Sequence, residues 1–256
     1  MKSIPVAVQM YTLREESEKD FAGTLKKVAE LGFDGVEFAG YGGLSAAEVR
    51  TLLDELGLKA ASSHVPLDEL KTNLSQVIEF QKVIGSKYVV CPYLLPEQRS
   101  EEEYKALIAV LDKAGEACRR EGITLCYHNH DFELERLSDG QMALEAILDH
   151  TQAENVKAEF DVYWLTKAGE RPIDWIRRYS GRTPLVHLKD MTTDDEQFFA
   201  ELGTGGVNLD EVLSAGEEAN VEWWIVEQDM SRKTPLESIE ISIKYLKTKL
   251  PYLVNQ

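Results

Sequence analysis

The chain has 256 residues, of which 43% are hydrophobic and 29% are charged, and these values are typical of a globular protein. Its formal net charge of −17 at pH 7 repels the phosphates of DNA and RNA, which argues against a nucleic-acid partner. No segment approaches the ~20 apolar residues of a membrane span. The three cysteines, Cys91, Cys118 and Cys126, fit neither a disulfide framework nor a zinc motif. Reduced thiols and the lack of a signal-peptide core predict a cytoplasmic location.

Short β-rich segments alternate with amphipathic helical segments along the chain. The composition predicts strands at residues 5–10, 35–39, 59–64, 88–92, 124–130, 156–161, 184–189 and 222–228. Apolar spacing, Ser or Asp starts and Gly stops predict helices at residues 20–31, 45–56, 70–84, 100–121, 140–150, 172–179, 209–219 and 235–250. Eight strand–helix units with a period of about 30 residues indicate an α/β fold, a single-domain (β/α)8 TIM barrel over residues 1–256. No glycine-rich dinucleotide fingerprint follows the first strand, which argues against a Rossmann fold.

Polar residues stand at or just beyond the ends of four apolar, strand-like segments. They are Glu133, Asp161, His187 and Glu227. Carboxylates and imidazoles are the ligands that divalent metals take in proteins, and the carboxyl ends of barrel strands converge on one mouth. The sequence therefore predicts a metal-dependent enzyme.

Further polar residues follow from strand alternation, because residues two apart along a strand share a face. The polar residues assigned to the inward faces are Gln9, Glu37, Ser62, His64, His128, His130, Glu159, Asp161, His187, Lys189 and Glu227. Charge in a barrel interior is unfavourable unless it is paired or metal-bound, so a cluster of this size favours a functional site over chance. A salt bridge between Glu37 and Lys189 is the structural alternative for that pair. The glycine-rich segment 203–208 follows the seventh strand, where barrels often bind phosphate, although an ordinary loop explains it equally well.

The motifs that contain these residues resemble those of the sugar phosphate isomerase/epimerase family, which has the xylose isomerase-like TIM barrel. The resemblance covers essentially the whole chain, and its motifs are specific for the superfamily but poor at naming a substrate. The motifs are GVE ending at Glu37, SSH ending at His64, YHNH with His128 and His130, FDVYW from Asp161 to Trp164, VHLKD with His187 and Lys189, GTGGV from Gly203, and VEQD with Glu227.

The resemblance implies a divalent metal held by Glu, Asp, His and Glu from strands five to eight. Asp161, His187 and Glu227 match that pattern directly. On strand five many members have Glu-Asn-His where this chain has His128-Asn129-His130. Either His128 binds the metal in place of the glutamate or Glu133 reaches back to do so, and Glu133 is preferred because it restores the usual charge. Manganese is the metal implied first, with magnesium, cobalt and zinc as alternatives.

The expected reaction is proton transfer next to a sugar carbonyl, giving isomerisation or epimerisation of a carbohydrate. The metal would act as a Lewis acid that stabilises an enediolate, and Glu227 or Glu133 would remove the carbon-bound proton. His64 and His128 are the partners for returning it, and Lys189 would neutralise developing charge or hold Glu37. The residues expected to contact the substrate are Gln9, Glu37, His130 and Trp164.

Three other functions compete with this one. The same proton abstraction followed by elimination gives a dehydratase of the inosose type or a lyase acting on 3-keto-glycosides, and the His-Asn-His strand makes this rival serious. An endonuclease acting at abasic sites is disfavoured by the five histidines and the negative charge. A non-catalytic sugar-binding protein is disfavoured by the complete ligand set. Barrels of this type often form homo-oligomers, but no helical face is apolar enough to name an interface.

Overall fold

Eight parallel strands close into a barrel in the computed structural model, which describes residues 3–250 and 253. The barrel strands are β1 (Val6–Gln9), β2 (Gly35–Phe38), β3 (Lys59–His64), β4 (Tyr88–Cys91), β5 (Thr124–His128), β6 (Val156–Asp161), β7 (Leu185–Leu188) and β10 (Trp223–Val226). They follow one another around the barrel in chain order, and β10 pairs with β1 to close it. This confirms the predicted (β/α)8 fold. The predicted single domain of 1–256 includes residues 1–2, 251–252 and 254–256, which lie outside the described part.

Helices follow the barrel strands on the outside. They are α1 (Arg14–Lys19), α2 (Phe21–Leu31), α3 (Ala46–Leu56), α4 (Leu67–Thr72), α5 (Leu74–Ile84), α6 (Glu101–Arg120), α7 (Ala143–Asp149), α8 (Val162–Lys167), α9 (Pro172–Arg178), α10 (Leu209–Ala219) and α11 (Pro235–Lys249). The predicted helix 70–84 is two helices, because the backbone of Asn73 leaves the helical region between α4 and α5. The six-residue helices α1 and α8 and the antiparallel pair β8 (Asp190–Met191) and β9 (Phe199–Ala200) were not predicted, since they are too short to show a periodic pattern.

Helix α3 shows how local sequence fixes the ends of these elements. The Ser45 side chain accepts from the Glu48 backbone N–H, and Glu48 Oε2 accepts from the Ser45 N–H, which is the predicted capping box. The helix ends at Gly57, whose φ of 69° is readily adopted only without a Cβ. Similar N-caps start α6, α10 and α11, where Ser100, Asn208 and Thr234 accept from backbone N–H groups of the first turn.

The barrel interior is divided into an apolar layer and a polar layer along the same strands. The apolar layer is a buried cluster made of Ala7, Ala61, Tyr88, Val90, Cys126, Leu185 and Ile225. Two residues further along four of these strands stand Gln9, His128, His187 and Glu227, all buried. The predicted inward alternation is therefore present, and it places the polar residues at the carboxyl ends of the strands. No helix within residues 3–250 is both long and apolar enough to cross a membrane.

Candidate active site

Four strand-end side chains meet in the polar layer of the barrel. One ligand atom from each of His128, Asp161, His187 and Glu227 lies within 4.8 Å of the others. His187 Nδ1 is 3.0 Å from Glu227 Oε2 and 3.9 Å from Asp161 Oδ2, and His128 Nε2 is also 3.9 Å from Asp161 Oδ2. Two nitrogen and two oxygen donors, all buried, form a set that fits a divalent metal ion. We call these four residues the metal cluster.

Asp161 directs one carboxylate oxygen into the metal cluster. Its Oδ1 accepts from the backbone N–H of Trp164 at 3.0 Å and caps α8. Its own N–H donates to Asn129 Oδ1 at 3.0 Å, which ties β6 to the end of β5. Its buried Oδ2 lies 3.9 Å from His128 Nε2 and from His187 Nδ1, and Lys189 Nζ is its nearest charged partner at 2.9 Å. The Asp161 oxygen that faces the two imidazoles is therefore held by positive charge, which is the environment that a metal-binding carboxylate requires.

Lys189 brings a fixed positive charge to the edge of the cluster. Its Nζ lies 2.9 Å from Asp161 Oδ2, 2.6 Å from Glu227 Oε2 and 2.7 Å from Asp229 Oδ2. Although burial lowers the pKa of Lys189, these carboxylates outweigh it and raise the pKa well above its usual value. The alternative salt bridge between Glu37 and Lys189 is not formed.

Two further buried carboxylates lie behind the histidines. Glu37 Oε1 is 2.6 Å from His187 Nε2, and Glu159 Oε2 is 3.1 Å from His128 Nδ1. Metal-binding histidines commonly donate their second ring N–H to a carboxylate, which fixes the tautomer and the ring orientation. In this arrangement His128 Nε2 and His187 Nδ1 are the nitrogens directed to the metal cluster. The sequence analysis placed Glu159 on the inward face but gave it no role. Its position two residues before Asp161, on the same face of the strand, was the signal that it lies close to the metal cluster.

His64 completes this inner group. Its Nε2 is 3.0 Å from Glu37 Oε1 and 3.0 Å from Glu159 Oε2. Burial lowers the pKa of His64, but the two carboxylates outweigh burial and raise the pKa to about 10. His64 therefore carries a proton and a positive charge at neutral pH. The inner donors of His64, His128, Glu159 and His187 also lie close enough together to hold a cation.

Glu133 does not join the metal cluster. Its Oε1 accepts from the Tyr127 hydroxyl at 2.7 Å, and its Oε2 accepts from the His130 backbone N–H at 2.8 Å. Burial raises the pKa of Glu133 to about 7. Tyr127 belongs to the core between the barrel and the helices, and Glu133 is bound on that side. The preferred assignment of Glu133 as the strand-five ligand does not agree with this placement, and the other alternative, His128, stands in the cluster.

The four residues predicted to contact the substrate divide into two pairs. Gln9 Nε2 donates to Glu37 Oε1 at 2.7 Å, and Ser62 Oγ donates to the other oxygen of Glu37. Both Gln9 and Glu37 are fully buried beneath the cavity, so they hold the histidines rather than line the cavity. His130 and Trp164 do line it. His130 Nδ1 and Trp164 Nε1 are buried and have no hydrogen-bond partner among the described residues.

A cavity of about 1150 Å³ opens at the carboxyl end of the barrel. Of the predicted site residues, its lining includes His64, His128, His130, Trp164 and Glu227. Asp229, which sequence reasoning quoted only as part of a motif, also lines it. The cavity thus connects solvent with the metal cluster, whereas Lys189, Asp161 and His187 lie beneath its surface.

The glycine-rich loop after β7 is occupied by the protein itself. The backbone N–H groups of Gly203 and Gly205 donate to Asp190 Oδ2, and that of Val207 donates to Asp190 Oδ1, each at 3.0 Å. A Cβ at Gly205 would lie 2.3 Å from the Met191 carbonyl oxygen, which explains this glycine. Since the Asp190 carboxylate uses these amides, the ordinary-loop alternative describes the segment better than a phosphate site.

Comparison with known proteins agrees with this architecture. The chain is 25% identical over 276 residues to an inosose dehydratase of Clostridium beijerinckii, covering 91% of this chain and 90% of that protein. A sugar phosphate isomerase/epimerase from Parabacteroides distasonis superposes with a TM-score of 0.84 at 22% identity, covering 98% of this chain and 99% of the other. The IOLI protein, whose structure holds a zinc atom, superposes with a TM-score of 0.77 at 18% identity, covering 98% and 99%.

The family itself is defined by sequence. The family model described as the xylose isomerase-like TIM barrel matches residues 25–249, which is most of the chain. The match confirms the resemblance found in the strand-end motifs, and the inosose dehydratases and the sugar phosphate isomerase/epimerases among the similar proteins are enzymes. The chain therefore belongs to the xylose isomerase-like TIM barrel family.

Proposed function

We propose that the protein is a divalent-metal-dependent carbohydrate enzyme that removes a proton next to a carbonyl and then eliminates a neighbouring substituent, as a dehydratase or lyase. The observation that carries the proposal is the pairing, at one cavity, of a carboxylate base, Glu227, with a cationic imidazole, His64. The sequence relatives named inosose dehydratases support the same reaction class.

His128, Asp161, His187 and Glu227 would hold the metal. Manganese remains the expected ion, and zinc in the IOLI protein supports a borderline divalent metal at such a site. When bound, the ion supplies Lewis-acid polarisation of a carbonyl group. The inner donor set is the less favourable place, because it offers one carboxylate, Glu159, where the metal cluster offers two, Asp161 and Glu227.

Glu227 is the proton acceptor in this proposal. It lines the cavity, and its carboxylate stays ionised because Lys189 and His187 outweigh burial and hold the pKa of Glu227 well below its usual value. Lys189 Nζ holds the Glu227 carboxylate from the side at 2.6 Å and is itself held by Asp229 at 2.7 Å. The base is therefore charged and oriented throughout the neutral pH range.

His64 is the proton donor. Its Nε2 faces Glu37 and Glu159, and its ring lines the cavity. An imidazolium at this position can protonate a leaving hydroxyl or alkoxide, which is the step that elimination requires beyond proton abstraction. The two carboxylates behind it keep it charged between turnovers.

Strand five explains the preference for elimination over epimerisation. Epimerisation needs a second base to return a proton to the opposite face, and Glu133, the expected carboxylate, is bound to Tyr127 away from the cavity. His128 replaces it, but burial holds the pKa of His128 well below its usual value. Isomerisation or epimerisation, the leading prediction from the sequence, becomes the second candidate, and it is retained because Asp229 also presents a carboxylate to the cavity.

The test is product analysis with the metal-loaded protein. An inosose, the substrate in the names of the sequence relatives, is incubated with the protein in deuterated water and followed by mass spectrometry. The proposal expects metal-dependent loss of one water and an unsaturated product. Deuterium incorporation with conserved skeleton mass would instead establish isomerisation or epimerisation, and turnover that persists in chelator would contradict both.

The cytoplasmic location and a homo-oligomeric state stay predictions.

A further inference from the structure

The cavity is larger than the metal cluster needs. Its volume of about 1150 Å³ exceeds the ~300–1,000 Å³ of pockets that enclose whole drug-sized ligands. Only one end of it is formed by His64, His128 and Glu227. Most of the remaining lining comes from the segments after β2, β3, β4 and β5 and from α5, with Tyr11, Trp164, Lys167 and Asp229 at the other strand ends. A single sugar ring at the cluster would leave much of this volume to water.

One part of the outer lining is a preorganised aromatic pair. The rings of Tyr41 and Phe80 lie with centroids 4.1 Å apart. Gln81 Nε2 donates to the Tyr41 hydroxyl at 2.9 Å, and Ser63 Oγ donates to Gln81 Oε1 at 2.9 Å. Gln81 and Ser63 are fully buried, so this hydrogen-bond chain fixes Tyr41 to the barrel wall. Both rings remain partly exposed and line the cavity.

A second aromatic group leads from the metal cluster outward. Trp164 and His130 have ring centroids 5.3 Å apart, and Tyr93 meets His130 edge-on at 5.1 Å. Arg99 lies 3.6 Å above the Phe132 ring and donates to the Tyr93 hydroxyl at 2.6 Å. Tyr93 is nevertheless 45% exposed. A held ring with half of its surface open to a cavity is a surface for a ligand to stack on.

Polar groups stand among these rings. Asn73 and Gln76, at the start of α5, and Asp131, after β5, line the same cavity. Aromatic faces match the C–H face of a sugar ring, and amide and carboxylate groups match its hydroxyls. The cavity combines both, which is the chemistry that recognises a glycosyl unit. The glycine-rich loop 203–208 does not line this cavity, and its amides bind Asp190.

We propose that the outer part of the cavity is a subsite for a second glycosyl ring. The substrate would then be a glycoside, with its reacting ring at the metal cluster and its second ring stacked on Tyr93 or on the Tyr41–Phe80 pair. Gln76 and Asn73 would bind hydroxyls of the second ring. The location of the reacting ring rests on the proposed function, whereas the second-ring subsite concerns only ligand binding and can be tested without turnover.

The experiment measures binding, so it does not depend on turnover. Dissociation constants for methyl β-D-glucopyranoside, cellobiose and phenyl β-D-glucopyranoside are determined by ligand-observed NMR with the full chain. The proposal expects cellobiose to bind roughly tenfold more tightly than the methyl glycoside, which corresponds to about 1.4 kcal/mol. Tyr93→Ala and Phe80→Ala should remove most of this difference. Val83→Ala, an exposed apolar position on the same helix as Phe80 that does not line the cavity, should leave it unchanged.

Gln76→Ala separates sugar recognition from simple stacking. It should weaken cellobiose several-fold and leave phenyl β-D-glucopyranoside unchanged. Equal binding of cellobiose and the methyl glycoside, binding of neither, or a gain for the phenyl glycoside alone would overturn the proposal. The same measurements on Asp161→Ala distinguish the two proposals, because the second-ring gain should survive there. A wild-type protein that shows the second-ring gain but no metal-dependent turnover would refute the proposed function only.

Discussion

The two layers inside the barrel lie on the same strands and differ in what they do. The lower layer is apolar and close-packed, with Ala7, Cys126, Leu185 and Ile225 on four of its strands. Two residues later the upper layer presents Gln9, His128, His187 and Glu227. The lower layer stabilises the fold by removing apolar surface from water. The upper layer buries charge, which is unfavourable without compensation, and it is therefore the layer in which the proposed chemistry is placed.

Charge compensation in the upper layer is incomplete within the protein. Four fully or almost fully buried carboxylates, Glu37, Glu159, Asp161 and Glu227, lie in this layer, and the buried Lys189 pairs with two of them, Asp161 and Glu227. His64 pairs with the other two, Glu37 and Glu159. A divalent cation at the metal cluster is the natural complement to the remaining negative charge. The comparison thus predicts that changes in the upper layer alter metal binding first, and changes in the lower layer alter stability first.

The largest effect is expected at Asp161. Asp161→Ala removes Oδ2, one of the four donors, so the protein should lose metal binding and its metal-dependent turnover while keeping its fold. Elemental analysis and circular dichroism check the two parts. Asp174→Ala, an exposed aspartate on α9, is the matched control and should change neither. Full metal content in Asp161→Ala would break the assignment of the cluster.

A cavity in the lower layer should give the opposite result. Leu185→Ala leaves a void in the apolar layer and should lower the free energy of unfolding by about 2–5 kcal/mol, with metal affinity largely retained. Urea unfolding and a metal titration measure the two quantities. Val83→Ala, at an exposed apolar position, should change stability by less than about 0.5 kcal/mol. Loss of metal with unchanged stability in Leu185→Ala would show that the two layers are not separable.

Glu159 tests the inner carboxylates. Glu159→Gln keeps the shape of the side chain but removes the charge behind His128, so metal affinity should fall by roughly 10–100-fold. Competition with a chelator gives the affinity, and the absorption spectrum of the cobalt-substituted protein reports the ligand field directly. Glu154→Gln, an exposed glutamate just before β6, is the control. An unchanged affinity and spectrum would reduce Glu159 to a packing role.

Substitutions of Glu133 should have the smallest effect on metal affinity and a measurable effect on the free energy of unfolding. Its pKa of about 7, raised above the ordinary 4.5, means that it stabilises the fold at low pH and that this contribution is lost as pH rises through 7. Glu133→Gln should flatten stability between about pH 4.5 and 7. Glu133→Ala leaves two buried donors unpaired and should cost about 1–3 kcal/mol for each. Thermal unfolding of the wild type and of Glu133→Gln across this pH range measures the effect. The same dependence of stability on pH in both proteins would contradict a buried carboxyl group with a raised pKa.

Much of the fold and the inward faces of the strands could be predicted from the sequence. The eight strands appear as short β-rich runs, and strict alternation assigned His128, Asp161, His187 and Glu227 to one face. Helix ends were predicted where a cap is explicit, as at Ser45 and Gly57. The six-residue helix α8, which Asp161 caps, was missed because it is too short to show a helical spacing of apolar residues.

The pairing of side chains across the barrel could not be predicted. Charge balance favoured Glu133 as a ligand, but alternation along the strand places Tyr127 outward, and Glu133 is held by Tyr127. Lys189 and Glu37 share the interior, yet Asp161, Glu227 and Asp229 lie nearer to Lys189. Tyr41 and Tyr93 lie in separate loops and Phe80 lies in α5, so no sequence pattern joins the three aromatic residues.

Metal content of three proteins tests the central claim most directly. The wild type, His128→Ala and Glu133→Gln are prepared side by side, reconstituted with manganese, and measured by elemental analysis. The account predicts one divalent metal per chain in the wild type, its loss in His128→Ala and its retention in Glu133→Gln. Retention in His128→Ala together with loss in Glu133→Gln would contradict the account, because the strand-five ligand would then be the carboxylate that the structure turns toward Tyr127.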